Sequence, residues 1–257
     1  MNLSQLAVSY AGLTRKEVDR FVRVWTQSLV PPILNSMLYF LIFGHVIGSR
    51  IGLVEGVPYI QYITPGLMLM AVVLNSYNNV SFSFYMSKFN GSIQDILVSP
   101  MPNIVIIAGF VTAGMLRGLI VALIVLLIGY LFSPFTIHFP VELLLVLLLV
   151  ALLFSCGGLL NAVFAKSFDD TAMAATFILS PLIYLGGVFY NIHELQGVWY
   201  YLSMLNPIHY IVALLRHCTL GITQVPVITC FSVLLIFIVM VFSTCLYVMN
   251  RGIRIKA

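Results

Sequence analysis

Charged residues are scarce in this sequence of 257 residues. It contains 12 Lys or Arg and 8 Asp or Glu, or 8% of the chain, whereas 61% of its residues are hydrophobic and its mean hydropathy is +1.08. Soluble domains carry about 25% charged and roughly 45–50% apolar residues. The shortage of charge therefore excludes an ordinary soluble protein and predicts an integral membrane protein.

Several chemical signatures are also missing from the sequence. It has no G-x-x-x-x-G-K-[ST] phosphate loop, no nucleophile elbow and no C-x-x-C pair, although Cys218 and Cys230 remain candidates for a disulfide bridge. Five potential metal ligands follow no standard zinc spacing: His193, His209, His217, Glu194 and Cys218. We therefore expect a chain without catalytic residues, a metal site or an ATP site of its own.

Six apolar runs approach or exceed the length of about 20 residues that crosses a bilayer. They cover residues 29–47, 63–86, 104–132, 141–164, 171–189 and 226–249. Neither a repeat nor a linker divides them, so residues 1–257 are predicted to form a single transmembrane domain. The expected fold is an all-α membrane protein with about six transmembrane helices.

Basic residues are distributed unevenly between the two sides of the predicted spans. Arg50 and Arg216 fall on one side, and Arg117 lies inside the third span. The other side has nine of the twelve: Arg15, Lys16, Arg20, Arg23, Lys88, Lys166, Arg251, Arg254 and Lys256. Because Lys and Arg accumulate in cytoplasmic segments, both termini are predicted to be cytoplasmic. The net charge of +4 then reflects topology and indicates no nucleic-acid partner.

Residues 1–27 are predicted to form a cytoplasmic helix at the membrane interface. Thr14 and Glu17 have the spacing of a capping box, and basic residues occupy the positions between the apolar ones. The apolar residues recur at helical spacing: Val18, Phe21, Val22 and Trp25. Such a helix places its apolar face in the lipid headgroup region, whereas a solvated charged leader is the alternative interpretation.

The loop of residues 87–103, SKFNGSIQDILVSPMPN, lies on the predicted cytoplasmic side and contains a short amphipathic segment. Ser92 is a possible helix cap, and Pro100 and Pro102 would end the helix. The helix would carry an apolar stripe of Ile93, Ile96 and Leu97. A connecting loop needs no such stripe, so we expect either a cytoplasmic partner or the membrane surface to cover it.

The outer segment, residues 190–224, is too apolar for an ordinary loop and too interrupted for one span. Asn206 can cap a helix with Pro207 at its first position, and Gly221 can end that helix. We predict two short helices that re-enter the outer leaflet. A pair lying on the membrane surface is the alternative.

Two motifs resemble those of a known protein family. NGSIQDILVSPMP in the first cytoplasmic loop, and LGGVFYNIHELQGVWYYLSMLNPIHYIVALLRH at residues 185–217, are similar to the corresponding segments of ABC-2-type permeases. These are membrane subunits of a class of ATP-binding-cassette exporters. The resemblance extends over nearly the whole chain in span number, topology and both motifs, and it implies a location in the bacterial inner membrane.

The resemblance implies a division of labour between chains. Two permease chains and two ATPase subunits would assemble, with ATP and Mg²⁺ on the ATPase and no cofactor on this chain. The loop helix would dock in a cleft of the ATPase through the face of Ile93, Ile96 and Leu97. Asp95 would be a polar contact or a cap, and Pro100 with Pro102 would form a rigid stop before the third span. A smaller second contact would lie at Lys166, Asp169 and Asp170. The permease would then convert nucleotide-driven movement into transport.

Arg117 is an isolated charge near the middle of the third span. An arginine there costs about 2.5–3.5 kcal/mol on insertion scales, so it is expected to face protein or water, in contact with substrate or in a structural role. The resemblance assigns the outer end of the translocation path to Asn206, Pro207, Tyr210 and Arg216.

The expected cargo is lipid-like, a glycolipid or a hydrophobic small molecule. An ATP-independent channel or secondary carrier, and a membrane-embedded enzyme, are the competing classes. Ion-coupled carriers usually need carboxylates within the membrane, and the single candidate, Glu142, lies at an outer span end.

Overall fold

A computed structural model describes residues 2–253 of the chain. Its helices are α1 (Leu3–Arg23), α2 (Trp25–Ile51), α3 (Tyr59–Phe89), α4 (Ser92–Val98), α5 (Asn103–Phe132), α6 (Pro140–Phe164), α7 (residues 168–185), α8 (Val198–Leu205), α9 (Pro207–Leu220) and α10 (Val227–Arg251). The strands β1 (Leu53–Val54) and β2 (Val57–Pro58) pair antiparallel, and Ile192–Glu194 forms one 3₁₀ turn. Helices α2 and α7 contain π-helical turns at Phe40–Ile47 and Ala175–Leu179.

The predicted all-α class is confirmed. Arg254 and Lys256, which entered the charge argument, lie outside the described residues.

Each predicted span corresponds to a helix whose ends lie within four residues of the predicted ones. Of the helices that the structure describes, α2, α5, α6 and α10 are long and apolar enough to cross a membrane. Helices α8 and α9 pass the same test as a pair, with a bend of 74° between them. Helix α3, at 31 residues, is about 46 Å long but less apolar. The number of six spans therefore stays a prediction.

Helix α3 is the central helix of the bundle. Of its 31 residues 22 are buried, and it packs against α5, α6 and α9. Several of the buried residues are polar, among them Ser76, Asn79, Ser81 and Ser83. Within a membrane such side chains are stabilised by facing neighbouring helices instead of lipid. The buried polar residues make α3 less apolar than an ordinary span, and they are tolerated because neighbouring helices surround α3.

Glycines on the neighbouring helices allow α3 to be enclosed closely. A Cβ atom at Gly158 of α6 would overlap the backbone oxygen of Tyr77, and one at Gly118 of α5 would overlap the Ser76 side chain. Small residues at helix interfaces let backbones approach, and this is the usual way in which membrane helices associate. The glycines thereby bring α5 and α6 into direct contact with the α3 backbone.

The N-terminal helix begins within the predicted range of residues 1–27, but well before the predicted capping box. Helix α1 starts at Leu3, where the Asn2 backbone N–H donates to Gln5 Oε1 at 3.1 Å, and it continues without a break through the predicted capping box. The prediction that Thr14 and Glu17 form a cap is therefore wrong. Helix α1 packs along α5, with Leu13 lying over Gly109 and Phe21 buried, whereas Val22 and Trp25 are exposed.

A single added methyl group tests the close approach of α6 to α3. We expect Gly158→Ala to destabilise the bundle by about 1–3 kcal/mol, the usual cost of overpacking a core, because the Tyr77 carbonyl belongs to a buried backbone that cannot rotate away. Thermal unfolding of the detergent-solubilised protein measures the effect. The control is Gly157→Ala, whose new Cβ would lie at an ordinary 3.7 Å from the Tyr77 ring. Equal midpoints for the two variants would contradict this packing.

Candidate coupling surface and membrane cavity

The short helix α4 follows α3 directly at the end of the bundle that the charge distribution places in the cytoplasm, here called the inner end. Gly91 precedes the helix with φ +74°, a conformation that glycine adopts without steric cost. The turn between the two helices therefore requires Gly91, and the predicted cap at Ser92 is wrong because Ser92 is already the first helical residue. Helix α4 ends at Val98, before Pro100 and Pro102, as predicted.

The apolar stripe of α4 is covered by the chain itself. Ile93 is 2% exposed and belongs to a hydrophobic cluster with residues of α3, α5 and α6, and Ile96 and Leu97 pack partly against that cluster. The expectation that a partner covers Ile93 is therefore wrong, because the chain itself already buries this side chain. The outward face of α4 carries Gln94, Asp95 and Val98 instead, and Val98 is 87% exposed.

The second predicted contact lies in the turn between α6 and α7. Lys166 and Asp169 are exposed, and Ser167 caps α7 by accepting a hydrogen bond from the Asp170 N–H at 3.1 Å. The Asp170 carboxylate accepts from the backbone N–H groups of Lys166 at 2.8 Å and Ser167 at 3.1 Å. The bond from Lys166 is the main cause that lowers the pKa of Asp170 below its ordinary value. Asp170 therefore orders this turn rather than presenting a free carboxylate.

The inner end of α3 ties both predicted contact segments together. Lys88 Nζ donates to the Val163 oxygen at 2.8 Å, and the Tyr85 hydroxyl donates to the Lys166 oxygen at 3.1 Å. The Phe168 ring packs against Tyr85 with 4.8 Å between centroids. Because α4 continues from the same end of α3, the two segments form one surface at the inner end. We call α4 together with the α6–α7 turn the inner surface.

A buried carboxylate connects α1 to α3. Glu17 is 2% exposed, receives a hydrogen bond from the Ser83 hydroxyl and pairs with Arg20, whose Nε lies 3.2 Å from Glu17 Oε2. The capping-box prediction assigned Glu17 to a cap and therefore missed its contact with α3. The spacing could have indicated it, because Leu13, Glu17 and Phe21 are four residues apart and share one helix face.

Arg117 joins the same polar network from α5. Its guanidinium donates to Asn79 Oδ1 and to the Ser28 backbone oxygen, both at 3.4 Å, and its Nε atom is buried without a hydrogen-bond partner. Arg20 Nη2 donates to the same Asn79 oxygen at 3.1 Å. Two guanidinium groups therefore share one neutral amide oxygen, next to the single carboxylate of Glu17.

Arg117 also lines a cavity of about 270 Å³ between α2, α3 and α5. Its other polar lining residues are uncharged: Gln27, Asn35, Ser36, Tyr39, Asn75 and Asn78. Leucine, methionine, alanine and proline side chains supply the rest, and none of the described residues that line it is acidic. The cavity thus combines a largely apolar lining with uncharged polar side chains and one cationic side chain, at the middle of α5.

The outer residues predicted from the resemblance form a separate cluster. Asn206 caps α9 by accepting from the Ile208 N–H at 3.0 Å and donates to the Leu182 oxygen at 2.6 Å. Pro207 is the first residue of α9, Gly221 ends it with φ +72°, and the Tyr210 hydroxyl donates to the Met204 oxygen. These predicted helix ends are confirmed. Of the 14 residues of α9, 11 are buried, whereas α8 exposes most of its apolar side chains.

Arg216 fastens α9 to the outer end of α3. It is 2% exposed, stacks its guanidinium 3.8 Å from the Tyr62 ring centroid and donates from Nη2 to the Gly187 oxygen at 2.6 Å. Tyr62 and Asn79 are separated by about 25 Å along α3. Arg216 and Arg117 therefore contact opposite halves of α3, Arg216 through Tyr62 and Arg117 through Asn79.

Neither a disulfide nor a cluster of metal ligands is present among residues 2–253. Cys218 and Cys230 are buried free thiols, so the candidate bridge between them does not form. Nowhere in this part of the chain do three His, Cys, Asp or Glu side chains converge in a way that could hold a metal ion.

Taken together, the apolar helix bundle defines a multi-pass membrane protein. The sequence matches the ABC-2 type transporter family over residues 9–220, and the chain belongs to that family. It is 49% identical over 245 residues to the inner membrane transport permease YadH of Escherichia coli (strain K12). The aligned region covers 95% of this chain and 96% of YadH. It is 22% identical over 234 residues to Nodulation protein J of Sinorhizobium fredii (strain NBRC 101917 / NGR234), covering 88% of each. The chain is a transport permease of the inner membrane, and the family resemblance is confirmed.

The buried carboxylate provides a second test of the structure. We expect Glu17→Gln to destabilise the permease by about 1–3 kcal/mol, the cost of leaving buried hydrogen-bonding groups poorly paired, because the Ser83 hydroxyl and Arg20 would lose the carboxylate that accepts from them. Thermal unfolding in detergent, with size-exclusion chromatography for aggregation, measures the loss.

The matched control is Asp19→Asn on the same helix. Asp19 pairs with Arg15 at 3.8 Å in an exposed position, and exposed pairs contribute about 0–1 kcal/mol. If both variants unfold at the wild-type temperature, Glu17 does not hold the network together.

Proposed function

We propose that this permease is the membrane subunit of an ABC exporter and that a separate ATPase supplies the energy. In this proposal two permease chains and two ATPase subunits assemble, and ATP and Mg²⁺ bind to the ATPase subunits. The observation that carries the proposal is the inner surface, where both segments implied by the resemblance meet at the end of one central helix. Membership of the ABC-2 family supports the same assignment.

The exposed side of α4 suits a docking contact. Val98 is an apolar residue that is 87% exposed, and Asp95 beside it is exposed as well. An apolar side chain at the inner surface gains roughly 1.5–3 kcal/mol when a partner removes it from water completely. The docking residues of our proposal are therefore Asp95 and Val98, with the exposed parts of Ile96 and Leu97, Pro100 and Pro102, and the polar residues Lys166 and Asp169.

The burial of Ile93 suits transmission of force. A helix that only rested on an ATPase would move without displacing the membrane segments. Ile93 instead anchors α4 in the cluster formed with α3, α5 and α6, and cores of this kind are close-packed and transmit displacement. Movement of the docked ATPase would therefore move the central helices of the bundle.

Transport in this proposal follows a path through the membrane domain to the outer cluster around Asn206 and Arg216. Helices α8 and α9 would re-enter the outer leaflet and shape the exit. The cargo would be lipid-like, a glycolipid or a hydrophobic small molecule. A homodimer related by a two-fold axis along the membrane normal would complete the path.

Charging the outward face of α4 tests the coupling role. We expect Val98→Glu to leave folding unchanged, because the side chain is exposed, and to weaken ATPase binding at least about tenfold, since the docked state would bury an unpaired carboxylate. Co-purification of an ATP-binding-cassette ATPase with the permease from native membranes, followed by ATP hydrolysis in liposomes, measures both effects.

The control is Leu3→Glu, which charges an apolar residue of α1 that is 86% exposed and distant in sequence from the inner surface. Wild-type ATPase recovery with Val98→Glu would refute docking through α4. Transport by the purified permease in liposomes that contain no ATPase would refute the exporter assignment as a whole.

A further inference from the structure

The cavity beside Arg117 carries a positive charge that no described side chain neutralises. Among residues 2–253, the acceptors of Arg117 are the neutral oxygens of Asn79 and Ser28, and both hydrogen bonds are long at 3.4 Å. The nearby carboxylate of Glu17 is already paired with Arg20 at 3.2 Å. One negative and two positive groups thus leave an excess of one positive charge next to the cavity.

An uncompensated cation in a membrane interior is costly, and such a residue usually indicates a functional partner. Arg117 offers the cavity wall a guanidinium whose buried Nε makes no hydrogen bond. Asn78 and Gln27 line the same cavity with amide groups that can donate hydrogen bonds, whereas the Asn75 amide already donates to the Ala71 oxygen at 2.9 Å. Guanidinium and amide donors together are the groups that recognise phosphate and carboxylate oxygens.

The apolar part of the lining favours an amphipathic ligand over a small free anion. Leu67, Met70, Leu74 and the paired prolines of α2 line the cavity together with the polar groups. The cavity lies halfway along α5, with Arg117 at the fifteenth of its 30 residues. A ligand that reaches this depth from lipid would bring an apolar part along with its charged group.

From these observations we infer that the cavity binds the anionic head of a lipid-like molecule and that Arg117 pairs with its phosphate or carboxylate group. The inference rests on the proposed function, because it names the class of cargo for an exporter of lipid-like molecules. The inference restricts that class to molecules with an anionic head, so zwitterionic and neutral lipids would bind less well.

Lipid binding to the purified permease tests the inference without any ATPase. The delipidated protein in a neutral maltoside detergent is mixed with dioleoyl phosphatidylglycerol or with dioleoyl phosphatidylcholine, which has the same chains and no net charge. Native mass spectrometry then measures the bound fraction. We expect wild type to prefer phosphatidylglycerol by about tenfold, equivalent to about 1.4 kcal/mol.

Three variants separate the cavity from other basic sites. Arg117→Gln removes the cation, and Arg117→Lys keeps it. Asn79→Asp places a carboxylate where the side-chain oxygen already accepts from Arg20 and Arg117, and the Nδ2 group that it replaces makes no hydrogen bond. Asn79→Asp is therefore expected to fold even if Arg117→Gln does not. All three retain the exposed basic residues of α1, which also attract anionic lipid.

The expected result is that Arg117→Lys retains most of the preference, whereas Arg117→Gln and Asn79→Asp reduce the ratio to about one. A full preference in Asn79→Asp would overturn the inference. Displacement of phosphatidylglycerol by millimolar inorganic phosphate would show a site for small free anions and would equally overturn it. Since no ATPase is present, loss of lipid preference and loss of ATPase coupling are distinguishable failures.

Discussion

The enclosure of α3 by α5 and α6 is the constraint on which the rest of the structure depends. A helix with buried serines and asparagines is unstable against lipid unless other helices surround it. Gly118 and Gly158 permit that enclosure by leaving room for the α3 backbone and its short side chains. Once α3 is enclosed, its two ends and its middle become fixed points to which the other elements attach.

Helix α3 makes a different set of contacts at each end and in its middle. At its inner end Tyr85 and Lys88 hold the α6–α7 turn beside α4, and at its outer end Tyr62 receives Arg216 of α9. Between them Asn79 accepts hydrogen bonds from two arginines on two other helices. One helix therefore links the proposed docking surface, the charged cavity and the outer helices, and this linkage is the one that the proposed coupling to an ATPase would use.

The sequence was sufficient where a local pattern determines the structure. Long apolar runs located the helices, and the Asn206-Pro207 pair with Gly221 located the ends of α9, because caps depend on residues close in the chain. It was insufficient where tertiary contacts decide. The stripe of α4 showed that Ile93 would be covered, but periodicity cannot say by which element. Glu17 was assigned to a cap for a similar reason, since its partner Ser83 lies 66 residues away.

The central claim is that movement of a docked ATPase at the inner surface displaces α3 and thereby changes the membrane cavity. Asn78 lines that cavity and is exposed, whereas all four native cysteines are buried. The most direct measurement is the rate at which Asn78→Cys reacts with a small thiol reagent in permease reconstituted with the ATPase subunit that we propose, with and without ATP. The account predicts a several-fold change in that rate when ATP is added. An unchanged rate while ATP is being hydrolysed would contradict it.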